Sequence, residues 1–193
     1  MLDDSGRGPF MITVSGHRFY LEDPRPDDVF IEDIAHSLSR QCRFNGHTSV
    51  HYSVAQHSVL VSELVEEPEL QLAALLHDAA EAYTGDIITP VKDALGTARD
   101  LERKIEVAIF ERFGVPFDGR LPQPVKTADV EALKIEFSTL PPFCDFPDNR
   151  QTAVGECISQ PWSAEEAYGH FMARFHQLTG GSRGFGRKSA SIV

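Results

Sequence analysis

The stretch His77-Asp-Ala-Ala-Glu-Ala-Tyr-Thr-Gly-Asp-Ile-Ile-Thr-Pro-Val-Lys92 carries a dense set of chemical groups out of an apolar run. At about 100° per residue, residues 69–84 read as a helix with Leu72, Leu75, Leu76, Ala79 and Tyr83 on one face. His77, Asp78 and Glu81 fall on the opposite side, Glu81 one turn from each of the other two. Two more segments show polar groups where apolar ones are expected. In 51–65, Val54, Leu60, Val61, Leu64 and Val65 define an apolar arc with His57 in its middle. In 123–140, Val125, Ala132, Leu133 and Leu140 share a face that also holds Asp129 and Glu136. Taken singly, each has an ordinary explanation: a satisfied core histidine, a solvated helix face, an aspartate that caps or pairs. A buried carboxylate, however, must be paired, hydrogen-bonded or bound to metal. Two histidines and two aspartates on three helices, all aimed inward, point together to a divalent-metal site.

The rest of the chain supplies the frame. Met11-Ile-Thr-Val and Arg18-Phe-Tyr-Leu read as strands, with Ser15-Gly16-His17 as the turn of a short hairpin. After Pro24 and Pro26, helical signals recur near 28–41, 51–65, 69–84, 97–113, 123–140 and 163–178. Gly114 and Gly180 are placed as C-terminal caps, and Ser163-x-x-Glu166 is a capping box. The expected class is mostly α with a short N-terminal β-hairpin: one domain over residues 1–179, a long loop from Phe143 to Gln160, and a flexible tail over 180–193.

Composition narrows the function. A chain of 193 residues with 41% hydrophobic and 24% charged residues is ordinary globular material with enough apolar content for one core. No stretch approaches the roughly 20 apolar residues of a membrane span, and the acidic Met1–Pro9 segment lacks a signal peptide's apolar region. Cys42, Cys144 and Cys157 form no CxxC pair, which argues against a cysteine zinc site and for a reducing, cytoplasmic compartment. The net charge of −11 disfavours polymeric nucleic acid, which asks for a basic face. A small anion remains compatible, with Arg40, Arg43 and Lys92 expected as a local basic mouth.

A His₂Asp₂ set suits one Mn, Fe, Co, Ni or Zn ion better than Ca. It also leaves coordination positions open, as a catalytic ion needs. Glu81, next to the set, is placed to move protons.

His57, then His77-Asp78, then Asp129 resembles the H…HD…D signature of the HD-domain phosphohydrolases. Residues 77–92 further resemble the bacterial 5′-deoxynucleotidase branch and the related small deoxynucleoside triphosphate hydrolases, and the likeness spans roughly residues 28–140. The resemblance implies an HD-domain helical fold, with His57, His77, Asp78 and Asp129 as metal ligands. It implies Glu81 as the acid/base, helped by Asp78, and Asp86 against the sugar hydroxyl. Lys92 and Arg43 would face the phosphate, and Phe44 would be Arg43's aromatic partner where relatives often carry Trp. The expected activity is metal-dependent hydrolysis of a small phosphate ester, foremost 5′-nucleotidase action on (deoxy)nucleoside monophosphates. The alternatives are deoxynucleoside triphosphate triphosphohydrolase activity and a non-catalytic nucleotide-binding HD module. Relatives are often homodimers, which the resemblance extends to this chain.

Overall fold

The computed structural model describes residues 6–143 and 160–180. The chain opens with β1 (Phe10–Ile12) and β2 (Arg18–Tyr20), antiparallel, with Met11 opposite Phe19. The expected turn is present: Gly16 at φ 82° lets the chain reverse, and Thr13 and His17 pair across it. Eight α-helices follow among the described residues: α1 (Ile31–Arg40), α2 (Val54–Leu64), α3 (Gln71–Leu75), α4 (Glu81–Thr84), α5 (Thr89–Leu95), α6 (Ala98–Phe113), α7 (Gln123–Thr139) and α8 (Ala164–Thr179). The mostly α class with an N-terminal hairpin is as the sequence indicates. The expected 180–193 tail beyond Gly180 and most of the 143–160 loop lie outside the described residues.

α2 is the central element. It packs against α1, α3, α7 and α8, and Val54, Ala55, Gln56, His57, Ser58, Val59, Val61 and Ser62 are all buried. Ser53 starts it, accepting from the Gln56 N–H. α8 closes the bundle over α1, α2 and α3, with Phe171 and Phe175 in the core. It begins with the expected capping box, Ser163 and Glu166 bonding each other's backbone N–H, and ends on Gly180 in the left-handed conformation.

The expected helix over 69–84 is interrupted. α3 stops at Leu75, and Ala79, Glu81, Ala82 and Tyr83 donate to the carbonyl three residues back rather than four. In an unbroken helix the Ala74 carbonyl would accept from the residue-78 N–H; here it accepts from the His77 ring Nδ1–H at 2.8 Å. Tightened to three-residue spacing, the chain eclipses side chains at i and i+3, which lines Asp78 up with Glu81. The expected apolar and polar faces are not there either. Ala73–His77 and Ala79–Tyr83 are all buried, because both sides of the segment meet other elements. A further helix, α5, follows Ile88 with Pro90 in its first turn, where a missing N–H costs nothing.

Phe171 has no solvent exposure. Phe171→Ala should therefore destabilise the fold by about 3–5 kcal/mol, read as a lowered urea midpoint. A change below about 1 kcal/mol would contradict the docking of α8 described here.

Candidate metal centre

Three elements meet at one point. α2 brings His57, the tightened turn after α3 brings His77 and Asp78, and α7 brings Asp129. His57 Nε2 lies 3.3 Å from His77 Nε2, 3.2 Å from Asp129 Oδ1 and 3.5 Å from Asp78 Oδ2. His77 Nε2 lies 3.2 Å from Asp78 Oδ2 and 3.8 Å from Asp129 Oδ1. Ligands about 2.1 Å from a shared ion are about 3.0–3.5 Å apart in octahedral or tetrahedral arrangement; the separations among His57, His77 and Asp78 match that, while Asp129 lies 3.2 Å from one imidazole and 3.8 Å from the other. His57, His77 and Asp78 each offer one atom within 4.8 Å of the others. The imidazoles are fully enclosed, whereas the Asp129 side chain is 45% exposed, so the cluster opens to solvent on the α7 side.

The other ring nitrogens decide what those atoms can do. His57 Nδ1 faces a Glu136 carboxylate oxygen at 2.6 Å, and His77 Nδ1 donates to the Ala74 carbonyl. Each acceptor keeps a proton on Nδ1 and leaves Nε2 with its lone pair toward the cluster, the usual support of a metal-bound histidine. Two imidazole nitrogens and two carboxylate oxygens thus face one another. This donor set fits a divalent transition ion.

The chain matches relatives over the whole of this region. It is 42% identical to YfdR, an uncharacterized protein of Escherichia coli, over 177 residues that cover 88% of this chain and 96% of the relative. It is 41% identical to an uncharacterized protein of Rhodobacter capsulatus, over 150 residues covering 71% of this chain and 76% of that relative. The chain belongs to their family. No family model matches it.

In this member of the family, the remaining expected residues take distinct positions. Glu81 is buried beside the cluster; its Oε1 accepts from Lys92 Nζ at 3.1 Å, and its Oε2 makes no hydrogen bond among the described residues. Lys92 is held on its far side by Glu102 of α6 at 2.9 Å. Arg43 points inward, with Nη2 3.0 Å from Glu136 and Nη1 3.6 Å from Asp78. It gets there because Cys42 bridges to Ser53 and the Arg43 N–H bonds the Tyr52 carbonyl, which closes the 41–53 loop onto the start of α2. Asp86 follows Gly85, whose φ of 84° turns the chain back toward the site. Phe44, at φ 55°, packs edge-on to Phe137 and Phe143. Arg40 departs from expectation. Its guanidinium turns to Glu165 of α8 and the His36 carbonyl, so the basic residues paired with the site's carboxylates are Arg43 and Lys92.

Three contributors carried no role in the sequence reading. Glu136 was visible there only as a polar residue on an apolar face. Gln41 donates to the Glu81 carbonyl and accepts from the Asp86 N–H, tying the end of α1 to the segment that carries Glu81 and Asp86. Glu102 reaches the site only through Lys92.

Charge in this pocket is unevenly held. Burial would raise the Asp78 carboxyl, but His77, His57 and Arg43 hold it below the usual carboxylate range. Burial likewise opposes charge on His77, and Asp78 and Asp129 more than offset it, raising its pKa. Glu81 goes the other way: burial, then the charges of Asp78 and Asp86, push it up to about 9 against the pull of Lys92.

A proton retained on Glu81 has a measurable sign. The unfolded chain releases it near the ordinary 4.5 and the folded chain near 9, so the stability from this group is complete below 4.5 and is lost as pH rises toward 9. In chelator-treated protein, the melting temperature of Glu81→Gln should therefore gain on that of the parent between about pH 5 and pH 9. A difference that stays flat or shrinks contradicts a protonated Glu81.

Proposed function

We propose that this chain is a divalent-metal-dependent phosphohydrolase of the HD-domain type, acting on the 5′-phosphate of a (deoxy)nucleoside monophosphate. One observation carries the reading: both imidazoles have Nδ1 committed to an acceptor, so their Nε2 atoms face each other with Asp78 close to both and Asp129 beside them. That convergence supports one Mn, Fe, Co, Ni or Zn ion held by His57, His77, Asp78 and Asp129. A bound ion of this kind supplies Lewis acidity toward a phosphoryl oxygen and acidifies water at neutral pH.

The chain's own residues do the rest. Glu81 holds a proton at a carboxyl whose Oε2 has no hydrogen-bond partner among the described residues, and exchanges it with the reacting oxygens. Asp78, held ionised by its basic neighbours, keeps its charge throughout. Arg43 offsets charge developing on the phosphate. Lys92 reaches a phosphate by exchanging one of its two carboxylate partners, Glu81 or Glu102, for it. Asp86 accepts from a sugar hydroxyl, which favours a nucleotide over a simple phosphate ester. Phe44 borders the same opening through its contact with Phe137 of α7. No helix among the described residues is long and apolar enough to cross a membrane, and a nucleotide substrate fits a cytoplasmic setting.

Purified protein should contain about one transition-metal ion per chain, and His77→Ala or Asp78→Ala should empty the site. On a panel of nucleoside mono- and triphosphates, inorganic phosphate should be the released product; triphosphate release would make the enzyme a triphosphohydrolase instead. Glu81→Gln should fold, keep its metal and lose at least about a hundredfold in turnover. A metal-loaded Glu81→Gln protein with full activity would remove Glu81 from the chemistry.

A further inference from the structure

We propose that Glu136 is a positioning residue that couples the metal ligand His57 to the phosphate-facing Arg43, so that one carboxylate governs both. The inference rests on the phosphohydrolase reading and adds a residue to it. Glu136 lies on α7, two turns after Asp129, and has no solvent exposure. Its two oxygens are divided. Oε1 takes His57 Nδ1 at 2.6 Å, and Oε2 takes Arg43 Nη2 at 3.0 Å. A buried ionised carboxylate is costly unless it is fully paired; here the two partners at hydrogen-bond distance are site residues, and the buried Tyr52 also feels the Glu136 charge. Arg43, in turn, has its Nη1 3.6 Å from Asp78.

The two contacts do different things. The one to His57 fixes the imidazole proton on Nδ1 and keeps the lone pair of Nε2 toward the cluster. The one to Arg43 draws the guanidinium back from Asp78. Released from Glu136, that cation would close on the aspartate it already approaches and compete with a metal ion for it. Glu136 thus raises metal affinity twice, once through the ligand's tautomer and once by restraining a rival cation.

Glutamine cannot replace it. Both partners donate, His57 through Nδ1–H and Arg43 through Nη2–H, whereas an amide has one acceptor end and one donor end. If the amide oxygen goes to the charged Arg43, the NH₂ faces His57 Nδ1, which must then accept, and the ring proton moves to Nε2. The ligand atom is lost although the shape of the side chain is unchanged. Removing the Arg43 donors frees the amide oxygen for His57 and restores the tautomer.

The experiment titrates cobalt(II) into chelator-treated parent, Glu136→Gln, Arg43→Met and the Glu136→Gln/Arg43→Met double variant, following the visible bands of bound cobalt. Glu136→Gln should bind about 10–100-fold more weakly than the parent, and the double variant should bind more tightly than Glu136→Gln alone. Unchanged affinity in Glu136→Gln, or a double variant no better than the single, overturns the coupling. Imidazole ¹⁵N spectra of the parent under alkaline conditions, with His57 assigned by its loss in His57→Gln, give a second readout that needs no variant at Glu136 and no metal. A protonated Nδ1 and a bare Nε2 on His57 are expected; the reverse tautomer overturns the proposal even if Glu136→Gln fails to fold. A parent that takes up no cobalt but shows the Nδ1–H tautomer would instead defeat the metal reading and leave the hydrogen-bond assignment standing.

Discussion

Two imidazole nitrogens and the carboxylates of Asp78 and Asp129, 3.2–3.8 Å from them, gather in a largely buried place, where the negative charge requires positive charge to offset it. That requirement organises the molecule around α2. The helix is buried nearly all round because it must bring an imidazole to the centre of the bundle. Around it, the chain places two cationic side chains, Arg43 and Lys92, each held by carboxylates that belong to the site or touch it. Neither is an exposed surface charge; both balance carboxylates within a centre that is itself rich in them.

The same arrangement separates the carboxylates by role. Asp78 and Glu81 are eclipsed on one tightened turn, yet their proton affinities diverge: Asp78 lies among His77, His57 and Arg43, while Glu81 is buried beside the negative charge of Asp78 and has only Lys92 to offset it. Pairs of titratable groups driven apart in this way are the usual means by which one pocket holds both a fixed charge and a mobile proton at neutral pH.

Much of this was legible in the sequence, and what was not has identifiable causes. The hairpin, the α7 and α8 helices and the caps at Ser163, Gly114 and Gly180 follow local rules, and local rules held. His57 and Asp129 stood out because each breaks an apolar arc, a signal that survives as long as the helix is regular. The 69–84 segment misled because a 3.6-residue phase was laid over a turn whose Ala74 carbonyl bonds a side chain, and because burial on both sides erases amphipathic contrast. Arg40 was grouped with Arg43 by closeness in sequence, but α1 ends between them and sends the two side chains to different neighbours. Glu136 was visible without a role, since nothing in a sequence states that two donors ninety-odd and seventy-odd residues away will share it. Glu102 and Gln41 act through Lys92 and through backbone groups, which leaves no periodic trace.

The spacing of the cluster along the chain also divides its contacts into a local and a distant set. His57 lies on α2 and His77 and Asp78 on the turn after α3, across the short 65–70 connection, a local pairing with little loop entropy to overcome. Asp129 and Glu136 arrive from α7, beyond α5 and α6, and join only when that helix docks across α2. The site therefore joins contacts of very different sequence separation. Without α7 in place the cluster keeps both imidazoles and Asp78 but lacks Asp129 and the acceptor that orients His57. The helix that completes the cluster is thus the one farthest along the chain from the rest of it.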